Sequence, residues 1–173
     1  TDTDQTVNLN DGTTQAYTVD ITADADSADT INNNSNVQLT VNASPGDIHT
    51  STNVTGSAGT SDVLNLTATA SAEADFDTNN DVFETINVVA VGTGIATTLD
   101  LDAYDTSGTG VAGASTVTIN ASSLSATNTL VLSDAAVDSN MNITSGAGND
   151  AITVGTGADT VSSGAGNDTI TGT

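Results

Sequence analysis

Carboxylates supply nearly all the side-chain charge of this chain: its 173 residues include 22 Asp and Glu, one His, and neither Lys nor Arg, for a formal net charge of −22. Only Glu73 and Glu84 are glutamates; the rest are aspartates. Such a set suits one chemistry above others. Carboxylate and backbone carbonyl oxygens are hard ligands that match Ca²⁺ or Mg²⁺, and Ca²⁺ is the leading expectation. A thiolate site is impossible without Cys, and an imidazole site cannot be built from His49 alone. The same charge repels phosphates, which excludes nucleic acid as a partner and disfavours anionic membrane surfaces. Full neutralisation would take about eleven divalent ions, an upper bound because many surface carboxylates are simply solvated.

The spacing of these aspartates becomes strict near the C-terminal end. Read in nines, the chain runs Ser145-Gly-Ala-Gly-Asn-Asp150-Ala-Ile152-Thr, then Val154-Gly-Thr-Gly-Ala-Asp159-Thr-Val161-Ser, then Ser163-Gly-Ala-Gly-Asn-Asp168-Thr-Ile170-Thr. Position two is always Gly (Gly146, Gly155, Gly164) and position four always Gly (Gly148, Gly157, Gly166). Position six is always Asp, and position eight is Ile or Val. Glycine permits backbone angles that other residues resist and leaves carbonyls exposed, Asp adds charge beside them, and the apolar residue points inward from a short strand. One nonapeptide is thus a turn followed by a strand.

This pattern resembles the glycine- and aspartate-rich nonapeptide repeat of the RTX proteins, a β-helix signature tied to calcium. The resemblance covers residues 145–173, with the first family glycine replaced by Ser145, Val154 and Ser163. It implies a β-roll in which successive nonapeptides lie on opposite sides and turns eighteen residues apart stack. Asp150 and Asp168 would then share one edge, and Asp159 would face the other. Stacked carboxylates repel unless a cation sits between them. The resemblance places Ca²⁺ there, held by Asp150, Asp159 and Asp168 with the turn residues Gly146, Gly148, Asn149, Gly155, Gly157, Gly164, Gly166 and Asn167. The Asp159 half-site would need a turn beyond Thr173 to be complete. One nine further back, Ala136–Thr144 keeps Ile143 at position eight but has Val137, Ser139 and Met141 where Gly, Gly and Asp belong, and reads as a degenerate rung without metal.

Weaker candidates lie upstream. Gly56-Ser-Ala-Gly59-Thr-Ser-Asp62 is a stretched relative of the same turn, with Asp62 as its acid. Asp75-Phe-Asp77-Thr-Asn79-Asn80-Asp81 alternates oxygen ligands like the first half of an EF-hand loop, with Glu84 as a shifted ligand and Ile86 where the closing Glu belongs. Asp24/Asp26/Asp29 and Asp100/Asp102/Asp105 read as solvated faces, His49 as a surface-loop residue after the Pro45-Gly46-Asp47 turn, and the many Asn-x-Ser/Thr sequons as chance. Catalysis lacks its parts: there is no His-Glu-x-x-His, no Gly-x-Ser-x-Gly and no Cys, so no enzyme is expected.

Short apolar alternations must position these sites. Val7/Leu9, Tyr17/Val19/Ile21, Val37/Leu39/Val41, Leu64/Leu66, Ile86/Val88, Leu99/Leu101, Val117/Ile119 and Leu130/Leu132 each read as a strand between Gly-, Asn-, Asp- and Ser-rich turns. Only Ala68–Ala74 or Asp134–Val137 could make one helical turn. The expected fold is all-β: an irregular short-strand β-solenoid or β-sandwich-like region over 1–136, then an RTX-type parallel β-roll over 137–173. No apolar run reaches transmembrane length, and without a basic, apolar leader the chain reads as part of a larger one. Segments such as Val82–Val88 and Ser115–Leu124 look like those of RTX-containing surface-layer proteins and secreted adhesins. The function expected is a calcium-stabilised extracellular structural segment, self-associating into a surface layer or matrix after bacterial-type secretion. The alternatives are an adhesin or ligand-binding module, with Thr116 and Thr118 in its recognition face, and the calcium-binding tail of a secreted hydrolase.

Overall fold

Runs as short as four residues cannot bury a core alone, so their apolar faces must stack on equivalents from the next coil. The structure, a computed structural model, describes residues 6–9, 15–21, 29–33, 37–49, 51–55, 61–76, 83–102, 116–134 and 140–172. Its strands are β1 (Thr6–Leu9), β2 (Tyr17–Asp20), β3 (Thr30–Asn33), β4 (Leu39–Ala43), β5 (Asn53–Thr55), β6 (Val63–Ala68), β7 (Ala72–Asp75) and β8 (Thr85–Ala90). They continue as β9 (Ala96–Asp100), β10 (Thr116–Asn120), β11 (Thr129–Ser133), β12 (Asn140–Thr144), β13 (Ala151–Val154), β14 (Thr160–Ser162) and β15 (Thr169–Gly172).

Every strand pairing among the described residues is parallel, which makes the fold a β-solenoid rather than a sandwich. The even strands β2 to β14 form one seven-stranded sheet. The odd strands form two: β1-β3-β5, and β7-β9-β11-β13-β15. β10 pairs with β12 in one larger sheet and β11 with β13 in the other. Coil length varies along the rod: Tyr17 pairs with Leu39 and Val63 with Thr85, Thr85 with Thr118 across a longer coil, and Asn142 with Thr160 and Ala151 with Thr169 eighteen residues apart. Two nonapeptides therefore complete one coil.

The core lies between the sheets, filled by alternate residues of each strand. Leu39, Leu64, Leu66, Phe76, Phe83, Ile86, Leu99, Ile119 and Leu130 are fully buried. Among the position-eight residues, Ile152 is buried, Val161 packs on the core's margin and Ile170, on the last coil, is 51% exposed.

The helical expectation at Ala68–Ala74 does not hold. Ala68 closes β6 and Ala72–Asp75 is β7, because parallel pairing to β9 gives those backbone groups partners that an isolated helical turn could not match. Asp134 follows β11 outside any helix, and 135–137 lie outside the described residues. The one helical turn described is 3-10, Pro45–Asp47, where Asp47 accepts the Ser44 N–H at 2.7 Å and the Ser44 hydroxyl at 2.8 Å.

Candidate metal centre

The turns after β10, β12 and β14 stack on one edge of the solenoid. Ala147 N–H donates to Leu124 O at 3.0 Å, and Ser145 Oγ donates to Ser163 O at 2.6 Å. Asn167 N–H donates to Asn149 Oδ1 at 2.8 Å. Gly164 and Gly166 have φ of +81° and +125°, and a Cβ on either would collide with the carbonyl oxygens of Gly146 and Gly148. The repeat glycines thus bring two carbonyl-bearing turns closer than any other residue would allow.

Aspartates enter this edge immediately before their strands. Asp150 is 2% exposed; its Oδ1 accepts the Leu130 N–H at 2.8 Å, while its Oδ2 is buried without any partner. Asp168 Oδ1 accepts the Asp150 N–H at 3.0 Å, so the two acids lie on consecutive coils of one edge. Asp159 lies on the opposite edge, where its Oδ1 accepts the Met141 N–H at 2.9 Å. Among the described residues, no three carboxylates or imidazoles converge. An ion held at these turns would therefore take most of its ligands from backbone carbonyls, as a glycine-rich turn permits.

A family comparison decides which ion this is. Residues 142–173 match the RTX calcium-binding nonapeptide repeat, in four copies. RTX nonapeptide repeats bind Ca²⁺, and the donors fit that ion: hard oxygens throughout, stacked glycine carbonyls, and a buried carboxylate oxygen lacking a partner. The RTX match stops short of the upstream coils. Comparisons with curated proteins and with solved structures find no match.

The upstream candidates fall differently. Asp62 is buried, its Oδ1 accepting the Leu39 N–H at 2.7 Å while its own N–H donates to Glu84 Oε2 at 2.6 Å. Burial pushes the Glu84 carboxyl above its usual range, and the nearby Asp62 charge adds to this against opposing backbone hydrogen bonds. Gly56, Gly59, Asp77, Asn79 and Asp81 lie outside the described residues; Asp75 ends β7, beside Asp100 of β9. His49 is half-buried, its Nδ1 accepting the Ser51 N–H at 3.2 Å.

Two features escaped the sequence reading. Asn42, Asn65 and Asn87 stack in register on neighbouring strands, each donating to the side-chain oxygen before it: Asp20 at 2.6 Å, Asn42 at 2.8 Å and Asn65 at 2.9 Å. Asn42 and Asn65, read from the sequence as chance sequons, form a ladder with Asn87, whose signal was the recurrence of Asn at the coil length. The second is Asp134, 1% exposed, with neither oxygen hydrogen-bonded. Burial first, then the charges of Asp159 and Asp102, raise its pKa to about 7; the nearby Gly155 N–H opposes this from outside hydrogen-bonding geometry.

Proposed function

We propose that this chain is a calcium-stabilised extracellular structural segment, without catalytic activity, that serves in a surface layer or matrix assembly. The observation that carries the calcium part is Asp150, whose second oxygen is buried without a partner at a turn stacked on Asp168 and the glycine carbonyls. Ca²⁺ bound there, with Asp150 and Asp168 as its carboxylate ligands, would supply the missing partner, and a separate ion would take Asp159 on the opposite edge. Calcium would also offset the repulsion of a chain with 22 acids and no Lys or Arg. Ordering and binding then share one equilibrium. Such a chain stays loose where calcium is scarce and locks where it exceeds the ~10⁻⁴–10⁻³ M affinities usual for extracellular sites. Bacterial secretion into a calcium-rich medium suits that behaviour.

Circular dichroism of the chain in excess chelator and in millimolar calcium tests the reading. Calcium should restore β signal and raise the melting temperature; identical spectra and melting curves in both would refute it.

A further inference from the structure

On the edge opposite Asp150, β9, β11 and β13 end on successive coils. Ser133 pairs with Asp100 on one side and Thr153 on the other, so Asp134 sits between the start of the Asp102 turn and the start of the Gly155–Asp159 turn. Its backbone is held by a 3.0 Å hydrogen bond from its N–H to Thr153 O. Its side chain is almost wholly buried, and neither oxygen has a hydrogen-bond partner. The charges acting on it are those of Asp159 and Asp102, both of its own sign. A carboxylate buried this way is among the costliest groups a protein can hold, and its ordinary remedy, a basic side chain, does not exist in this sequence.

We infer that Asp134 and Asp159 share a divalent-cation site, so that the second edge of the roll is completed from the coil upstream of Asp159 by a residue outside the nonapeptide repeat. Asp159 uses Oδ1 for the Met141 N–H, which leaves Oδ2 for the ion. Asp102 is exposed and its Oδ1 accepts the Ser133 hydroxyl at 2.8 Å, which suits an outer role. With two carboxylates at the centre, carbonyls of the Gly155 turn and water make up the coordination, as hard-cation sites allow. Asp134 lies ahead of the RTX match at 142–173, and the Asp159 half-site needs no coil beyond Thr173. The inference rests on the reading that the roll takes calcium.

The test is calcium titration of the whole chain by calorimetry, with native mass spectrometry for stoichiometry, on Asp134→Asn, Asp159→Asn, their combination, and Asp168→Ala. Asp134→Asn should bind one ion fewer than the parent chain. At pH 8 it should melt higher than the parent in chelator, because a buried charge is gone, and lower in calcium. Asp159→Asn should lose the same ion, the double variant no more than that one, and Asp168→Ala a different one. If Asp134→Asn keeps the parent's stoichiometry and affinity while Asp168→Ala loses an ion, the shared site is refuted and the calcium reading stands. A lower melting temperature for Asp134→Asn in chelator and calcium alike also refutes it, by showing a purely structural role. If the parent chain binds no calcium, both fall together. Should Asp134→Asn fail to fold, Asp159→Asn decides: retention of every ion overturns the site.

Discussion

At the scale of single residues, the acids do two jobs that composition alone does not separate. Asp62, Asp150, Asp159 and Asp168 each stand just before a strand and take a backbone N–H from the previous coil. Such charge-assisted bonds stabilise the coil stack with or without metal. Asp62→Ala should therefore cost about 1–3 kcal/mol, the penalty for leaving a buried donor unsatisfied, and thermal melts should show the same loss in chelator and in calcium. Asp150→Ala loses the equivalent bond to Leu130 together with the unpartnered oxygen, so its deficit in melting temperature should be larger in calcium than in chelator. Equal deficits in the two media would place Asp150 with Asp62. Glycines divide in the same way. Gly164 combines a left-handed φ with the approach of Gly146 O, whereas a Cβ on Gly46 meets nothing within 4 Å. Gly164→Ala should destabilise by more than ~1 kcal/mol and Gly46→Ala should be near neutral, as denaturant midpoints would show.

At the scale of elements, stability comes from repetition: each strand is too short to stand alone and is held by the coils above and below. The asparagine ladder adds a side-chain row to that backbone pairing. Asn65 sits in its middle, donating to Asn42 and accepting from Asn87. Asn120 reaches Asn87 only at 3.5 Å, across the longest interval between paired coils. Asn65→Ala breaks two half-buried hydrogen bonds and should lose about 1–3 kcal/mol. At about 2–4 °C per kcal/mol for a chain of this size, that shift is visible in a calorimetric melt. Asn120→Ala should shift the melting temperature less; the reverse order would show that the ladder is ornament to the backbone pairing.

At the scale of the whole molecule, the dominant fact is a charge of −22 with nothing positive to meet it. Contacts between copies must then be polar, apolar or bridged by metal. Monovalent salt screens repulsion, while calcium both screens and bridges. Light scattering at matched ionic strength should show larger particles in calcium than in NaCl, and equal sizes would remove the support for a calcium-bridged assembly. Acidity should act in the same direction as metal. The folded-state pKa of Asp134 is raised to about 7 from an ordinary value of 3.8, so between those values the folded state holds a proton that the unfolded chain releases. Its contribution to stability is complete below about 4 and is lost as pH rises through 7. In chelator, the melting temperature should be higher at pH 5.5 than at pH 8; in saturating calcium, where metal replaces the proton, the difference should shrink.

The all-β class, the eight apolar runs from Val7/Leu9 to Leu130/Leu132 and the nine-residue repeat of the roll were legible in the sequence, because alternation and a strict period are local properties of the chain; β3, β5 and β7, which lack a clear apolar alternation, were not. The placing of Asp150 and Asp168 on one edge and Asp159 on the other was what the RTX resemblance implied, and the folded coils have that arrangement. The partners of those aspartates were not legible. Whether a carboxylate stacks a coil, as Asp62 does, or lies buried without a partner, as Asp134 does, depends on which turn the solenoid places against it, and that turn can be eighteen or more residues away. The asparagine ladder was hidden for a related reason: its spacing equals the coil length, which varies upstream. Only the parallel register of the folded coils converts those uneven intervals into one straight row.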